Sequence, residues 1–321
     1  MYNILPNDVL CKNISESIAA TDDGMVRRIK TNSGEITLTE YSVFPGIDIV
    51  FSNADFTGVA TLCGENESVF VINHCKEGRV EFENGGSYCY LASGDLSVTR
   101  VNGAFCPLYF PLGGYCGVSI LIYPDKTPPC LSCFLADVDV SPSELMDKFS
   151  SLENGYISRS DKSIEHIFSE LYSVPPQIRR GYFKVKILEL LMFLSNLEIS
   201  PGETTRHMVS KRRADLAKSI GVYLVSHMDE RITLNALSSE FHVSGTGIKS
   251  AFKEVYGVSV YSYIRTRKMQ AAALSLKNTD RNILDIAGSV GYDNGSKFAK
   301  AFRDVFGVSP KEYRKSARAA A

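Results

Sequence analysis

Long apolar runs are missing from this chain. No stretch reaches the ~18 residues of a membrane span, and the longest apolar patches, at 117–123 and 185–194, suit a strand and a buried helix. The N-terminus also lacks the basic, apolar, small-residue order of an export signal, so a cytoplasmic location is expected. Cysteine is absent after Cys133, and the eight that occur up to that point are irregularly spaced. Without an export signal they read as reduced, mostly buried thiols. Cys130 and Cys133 form a lone Cys-x-x-Cys pair, which cannot make a zinc site unaided and leaves only a redox exchange or two packed thiols. Histidine is scarce as well. Between Leu38 and Leu135 only His74 occurs, whereas an enzymatic metal centre needs two or three histidines and a carboxylate. His74 therefore reads as a packed or hydrogen-bonded residue, with no metal, no cofactor and no enzymatic role expected.

What is present is an uneven distribution of charge. The 321 residues carry a formal net charge of −1. From Met1 to Ser210 there are 16 Lys and Arg against 26 Asp and Glu, a balance of −10; from Lys211 to Ala321 there are 19 against 10, a balance of +9. An acidic front and a basic back suggest that only the back meets a polyanion. The length suits two domains with cores of their own.

Texture divides the chain further. From about Leu38 to Leu135, short alternating runs such as Ser68–His74 and Val118–Tyr123 are broken by turn signals about every ten residues, at Asn84-Gly85-Gly86, Gly94-Asp95 and Gly113-Gly114. That pattern predicts an all-β sandwich or barrel over residues 1–140. Helical spacing begins near Pro142. Ser163 can cap a helix with Ile164, Ile167, Phe168 and Leu171 inward, and Pro175-Pro176 ends it. A more apolar helix follows over about 177–197, broad enough to pack on the β domain and to offer a face to a second subunit. Residues 141–200 are thus a helical packing or dimerisation segment, and 201–210 read as a linker. The carboxylates Glu65, Glu67, Glu77, Glu81 and Glu83 read as solvated strand edge or loop.

The last zone, 211–321, contains a repeat. Residues 251–263 read AFKEVYGVSVYSY and residues 301–313 read AFRDVFGVSPKEY, identical at seven of thirteen positions at an offset of 50. Each copy has a short helix, a tight turn and a second helix with a capping residue, Ser244 in one and Asn294 in the other, which is the local chemistry of a helix-turn-helix. The second helices put Ile248, Ala251, Phe252 and Val255, or Phe298, Ala301, Phe302 and Val305, on one face. The opposite faces carry Thr246, Lys249, Ser250 and Lys253, or Ser296, Ala299, Lys300 and Arg303, aimed into a major groove. Lys donates to guanine acceptors, Ser and Thr to several bases, and either to phosphate. A helix from Ser259 through Leu276 joins the units and would hold them about 34 Å apart, one turn of DNA. Its Arg265, Arg267 and Lys268, with Lys253 and Arg303, are candidate phosphate contacts.

The stretch from Ile232 to Tyr313, with IRTRKMQAAALSL and ILDIAGSVGYDNGSKFAKAFRDVFGVSPKEYR, resembles the AraC/XylS regulators over about a hundred residues. The resemblance implies a seven-helix domain with two helix-turn-helix units, and transcription activation through RNA polymerase. It also implies base reading by Thr246, Lys249, Ser250, Ser296 and Lys300, with Lys297 beside them. This sequence departs from the pattern at Gly245 and Gly247, in the opening turn of the first recognition helix. Two glycines there cost roughly 1 kcal/mol each, so that helix is expected to order fully only on DNA. It also has Ser250 and Lys300 where the family often has Arg, losing a bidentate fork. The run from Val71 to Phe82, then Tyr90–Leu96, resembles the cupin-like β domain in front of many such regulators. That architecture implies a small-molecule sensor and a homodimer, giving an α+β protein with no membrane association. The alternatives are a front domain that docks a protein partner or senses redox state, and, weakest, a metal-dependent cupin enzyme. Neither effector, operator nor the sign of regulation is legible.

Overall fold

The computed structural model describes residues 3–6, 15–21, 24–31, 34–56, 58–63, 68–84, 86–101, 105–132, 140–152, 155–159, 162–199 and 208–319. They fall into two compact units, Met1–Ser210 and Lys211–Ala321. None of the helices described is long and apolar enough to cross a membrane. Cys133, Glu65, Glu67 and the segment 200–207 lie outside the described residues, and with Cys133 so does the redox reading of its pair.

The first unit is built on antiparallel strands: β1 (Asn3–Pro6), β2 (Ser15–Ala20), β3 (Met25–Thr31), β4 (Gly34–Phe44), β5 (Ile47–Phe56), β6 (Gly58–Cys63), β7 (Val69–Asn84), β8 (Ser87–Ala92), β9 (Asp95–Val101), β10 (Phe105–Phe110) and β11 (Tyr115–Ile122). Two more, β12 (Tyr156–Arg159) and β13 (Met208–Ser210), pair with β9 and β8. The 16-residue β7 is the pivot. Its first half pairs with β9 and β11, and its second half with β8 and β10. The changeover falls at Gly78, whose φ is +87° and where a Cβ would collide with the Gly114 carbonyl, so glycine is required.

Alternation along the strands sorts side chains between two cores. Ile29, Ile36, Leu38 and Ala54 face Val80, Phe82, Cys89, Leu91 and Phe110 across the strand layers. The other face of the central strands, with Ile49, Ile72, Leu96, Val118 and Ile120, is covered by three helices. These are α1 (Pro142–Ser150), α2 (Lys162–Leu171) and α3 (Arg179–Ser195), which contribute Phe149, Ile167, Phe168, Phe183, Ile187, Leu190 and Leu194. His74 belongs to this packing. It is 1% exposed and stacks on Phe168 with ring centroids 4.2 Å apart. Its Nε2 lies 3.1 Å from Glu165 Oε2 and its Nδ1 3.3 Å from the Tyr172 hydroxyl.

Some expectations give way. Strands begin well before Leu38: β2 leaves Ile18 exposed, and in β3 the buried positions are Arg27, paired with Glu16, and Ile29, so neither shows a plain apolar alternation in sequence. Glu77 and Glu83 are exposed, but Glu81 is buried rather than solvated, because its carboxylate accepts from the hydroxyl of the buried Tyr90 on the neighbouring strand. The segment 141–200 is not wholly helical, since β12 extends the sheet edge beyond β9. The expected linker 201–210 ends in β13, three residues tied by register to Ser87–Cys89. Helix α2 begins at Lys162, one residue before Ser163, whose side chain lies outside the described atoms, and α3 is preceded by a 3-10 turn over Pro176–Ile178, where Pro175-Pro176 sets φ but supplies no donor.

The second unit is all-helical: α4 (Lys211–Ser226), α5 (Leu234–Phe241), α6 (Gly245–Tyr256), α7 (Val260–Asn278), α8 (Ile283–Ser289), α9 (Gly295–Phe306) and α10 (Pro310–Ala319). Gly221 lets α4 approach α6, because a Cβ there would collide with the hydroxyl of the buried Tyr256. Around α7, Met269, Ala272 and Leu276 pack with Ile286, Ala287, Phe298 and Phe302.

Candidate nucleic-acid interface

Two helix pairs, α5–α6 and α8–α9, are built alike. In the first, Thr233 caps α5 by accepting from the Ala236 N–H at 3.2 Å. That cap starts the helix at Leu234, because Thr233 is extended. The chain then turns through His242, whose φ of +52° makes it the one non-glycine residue with positive φ among those described. Ser244 caps α6 by accepting from the Gly247 N–H at 3.2 Å. In the second pair Asn282 caps α8, Gly291 supplies the turn at φ +74°, and the Asn294 side-chain carbonyl accepts from the Ser296 and Lys297 N–H groups at 2.9 and 3.0 Å. Both second helices end the same way. Gly257 and Gly307 sit at φ +72° and +73°, and each N–H donates to a carbonyl four residues back, Lys253 or Arg303, at 2.8 Å.

Helix α6 is helical from its first residue, so the two glycines do not hold its opening turn apart. Their reason is steric: a Cβ on Gly245 would crowd Leu234 of α5 at 2.9 Å, and one on Gly247 would crowd Val243 at 3.0 Å. They admit the preceding helix and turn. Between the pairs runs α7, 19 residues and therefore roughly 28 Å long, capped by Ser259 accepting from Ser262.

Each second helix buries one face and exposes the other. Ile248, Ala251, Phe252 and Val255 are buried on α6, and Phe298, Ala301 and Phe302 on α9, where Val305 is half-buried. Thr246, Lys249, Ser250 and Lys253 are exposed on α6, as are Ser296, Lys297, Lys300 and Arg303 on α9, while Ala299 is half-buried. The structure thus gathers these sequence-assigned residues onto two solvent faces. Ser250 is already engaged: its hydroxyl donates to Glu254 Oε1 at 3.0 Å and accepts from Arg213 at 2.8 Å.

The cations of α7 separate into two groups. Arg265 is exposed and lies 3.8 Å from Asp304 of α9. Arg267 and Lys268 are half-buried and turned onto their own unit. Arg267 donates to Gln270 at 3.3 Å and lies over the Tyr263 ring. Lys268 reaches the Glu230 carbonyl at 3.5 Å, sits over Tyr292, and is held below the usual lysine range by burial. Both cations are thus engaged within their own unit in this structure, which their charge alone did not indicate.

Two features were not foreseen. Arg213 of α4 joins the α6 face, though no spacing rule links residues 37 positions apart. At α10, Ser309 and Glu312 form a reciprocal capping box: the Glu312 carboxylate accepts from the Ser309 hydroxyl at 2.6 Å and N–H at 2.8 Å, which holds its pKa down. Its signal, Ser-x-x-Glu, is present in the sequence.

Paired short helices with capped, exposed, basic second helices define a helix-turn-helix domain, and residues 237–316 match the family model described as "Helix-turn-helix domain". The C-terminal unit is a helix-turn-helix domain of the AraC type. The chain is 39% identical over 100 residues to the uncharacterized HTH-type transcriptional regulator YdiP of Escherichia coli K12, covering 31% of this chain and 33% of that protein. It is 31% identical over 104 residues to the right origin-binding protein of the same organism, covering 32% and 36%. The chain therefore spans about a third of the length of these relatives. Among solved structures it is similar to the C-terminal domain of AraT, a response regulator from Geobacillus stearothermophilus, with 29% identity, 33% of this chain and 88% of that chain covered, and a TM-score of 0.32.

Proposed function

We propose that the protein is a sequence-specific, DNA-binding transcription regulator of the cytoplasm, an activator that contacts RNA polymerase and has no enzymatic activity. The carrying observation is the pair of exposed basic faces, on α6 and α9, borne by two like-built helix pairs on either side of α7. In this reading the pairs are two helix-turn-helix units that enter successive major grooves. Thr246, Lys249, Ser250, Ser296, Lys297 and Lys300 read bases, and Lys253, Arg265 and Arg303 meet phosphates. Arg267 and Lys268 drop out of the phosphate set.

The first unit is a cupin-like sensor for a small molecule. Support comes from the strand face turned away from α1–α3, which carries polar groups in register. Ser119 donates to Asn73 at 2.7 Å and Asn73 to Ser97 at 3.2 Å. Farther along the same face, Glu40 and Asp48 are carboxyls raised in pKa, first by burial. Such a face offers bonded polar groups and carboxyls that a polar small molecule could engage, as ligand pockets place a few polar groups among apolar ones. A homodimer through α3 is supported by its exposed Val185 and Met192.

Footprinting the full chain on DNA upstream of its own and neighbouring genes, over a salt series, tests the proposal. Protection of two successive major grooves, with affinity falling steeply as salt rises, is the expected result. Absence of protection at low salt, combined with no retention of randomised duplexes, would sink it.

A further inference from the structure

The two recognition faces differ at one position that the internal repeat makes comparable. At the 50-residue offset, Lys300 of α9 corresponds to Ser250 of α6, and Asp304 to Glu254. A cation is thus replaced by a hydroxyl in the first pair. The space is not left without charge. Arg213, from the first turn of α4, places its Nη2 at 2.8 Å from Ser250 Oγ and 2.8 Å from Glu254 Oε1, and Ser250 donates to the same carboxylate oxygen at 3.0 Å. A guanidinium brought in from another helix therefore stands where the second pair carries its own lysine.

We propose that Arg213 is a DNA-contacting residue of the first recognition face, held at Ser250 by Glu254 and handed to a planar pair of acceptors on the duplex. This rests on the DNA-binding reading above. Three observations carry it. The Arg213 side chain is 47% exposed, and the contacts to Ser250 and Glu254 engage Nη2 alone, so Nε and Nη1 keep N–H donors, and the fork that matches a guanine edge or two phosphate oxygens is completed when Nη2 is released to the duplex. A surface Arg–Glu pair contributes only ~0–1 kcal/mol to stability, so stapling α4 to α6 is a weak reason for it, particularly where Gly221 already packs α4 against Tyr256. Finally, Glu254 is an acid on a face that meets a polyanion; without a cation over it, it would repel the phosphates. The equivalent acid of the second pair, Asp304, also has an arginine from another helix, Arg265 at 3.8 Å, while Lys300 remains exposed beside it.

The test uses the full chain and duplexes selected from a randomised pool, with Arg213→Gln, Arg213→Lys and Glu254→Gln, each checked for its thermal melting. Arg213→Gln should bind the selected duplex roughly 10-fold more weakly or worse while melting like the parent. If the acceptors are a guanine edge, preference at one base pair of the selected site flattens and lysine rescues poorly. If they are phosphate oxygens, affinity falls on every duplex, the log–log salt slope shrinks by about 0.9, and lysine rescues well. Glu254→Gln should bind as well as the parent or better, because it frees the guanidinium. Unchanged affinity, selectivity and salt slope in Arg213→Gln would overturn the assignment, as would equal losses of binding and melting temperature in Arg213→Gln and Glu254→Gln, the signature of a staple. Should the parent chain bind no duplex at all, the DNA-binding reading itself fails, which is distinguishable from failure at Arg213.

Discussion

Lys300 stands exposed on α9, whereas Lys268, a lysine of the same unit, is half-buried against Tyr292 and the Glu230 carbonyl, so equal charges are set to different tasks. Lys300→Ala should weaken binding to preferred duplexes by about 1–3 kcal/mol and random duplexes far less, as titrations on both would record. Equal loss on the two would refute base reading. Lys268→Met should instead leave the salt slope unchanged and lower unfolding stability by about 0.5–1 kcal/mol, since it removes a ring contact and a weak hydrogen bond. A changed slope with unchanged stability would restore it to the phosphate set. His74 poses a separate residue-scale question. Burial against Phe168 depresses its pKa below 6.5 in spite of the Glu165 and Asp95 charges, so the folded state prefers the neutral ring. Its contribution is complete above pH 6.5 and is lost as pH falls from there through the folded value. Melting of the parent should therefore drop on acidification through this window, and His74→Gln should flatten that part of the curve. An identical pH profile in the variant would show that other groups set it.

Caps and left-handed turns set where the helices of the second unit stop. A methyl group added at Gly307 would meet open space, yet φ there is +73°, so Gly307→Ala isolates the backbone cost, expected at about 1 kcal/mol in urea unfolding. A neutral result would mean that the α9 terminus relaxes freely. The same chemistry explains what was legible beforehand. The repeat, the caps at Ser244 and Asn294 and the inward faces of α6 and α9 are local, spaced by 3.6-residue periodicity, and could be read from the residues. The small strands before Leu38, the edge strand β12 and the three-residue β13 could not, because their only warrant is pairing with distant strands or with one another. Within the candidate site the limit was similar. Exposure of Thr246, Lys249, Ser296 and Lys300 follows from helix phase, but the inward turn of Arg267 and Lys268 and the arrival of Arg213 depend on tertiary packing, to which sequence spacing is blind.

Charge and exposed apolar surface together suggest how whole molecules associate. The acidic front, −10 over Met1–Ser210, is disfavoured near DNA, while the basic back, +9 over Lys211–Ala321, is drawn to it, so contacts between copies are best placed on the front. There, Val185 and Met192 of α3, 59% and 39% exposed, lie seven residues apart, within about 20° of one stripe, and Ile178, 52% exposed, ends the 3-10 turn before the helix. The opposite side of α3 is committed to its own core through Phe183, Ile187, Leu190 and Leu194. A solvent stripe of this kind has a physical use as a helix-to-helix seam. In the proposed dimer, Val185→Lys, at an exposed site that tolerates the change, should shift sedimentation equilibrium to monomer and remove the concentration dependence of the melting temperature, with the far-UV circular dichroism spectrum unchanged. Affinity for a duplex with two copies of the selected site should then fall by about 10²–10⁴, the loss of effective concentration, while affinity for a single copy stays as it was. A Val185→Lys protein that still sediments as the parent does would remove α3 as the seam. One that becomes monomeric yet keeps its two-site affinity would instead show that each copy binds DNA independently.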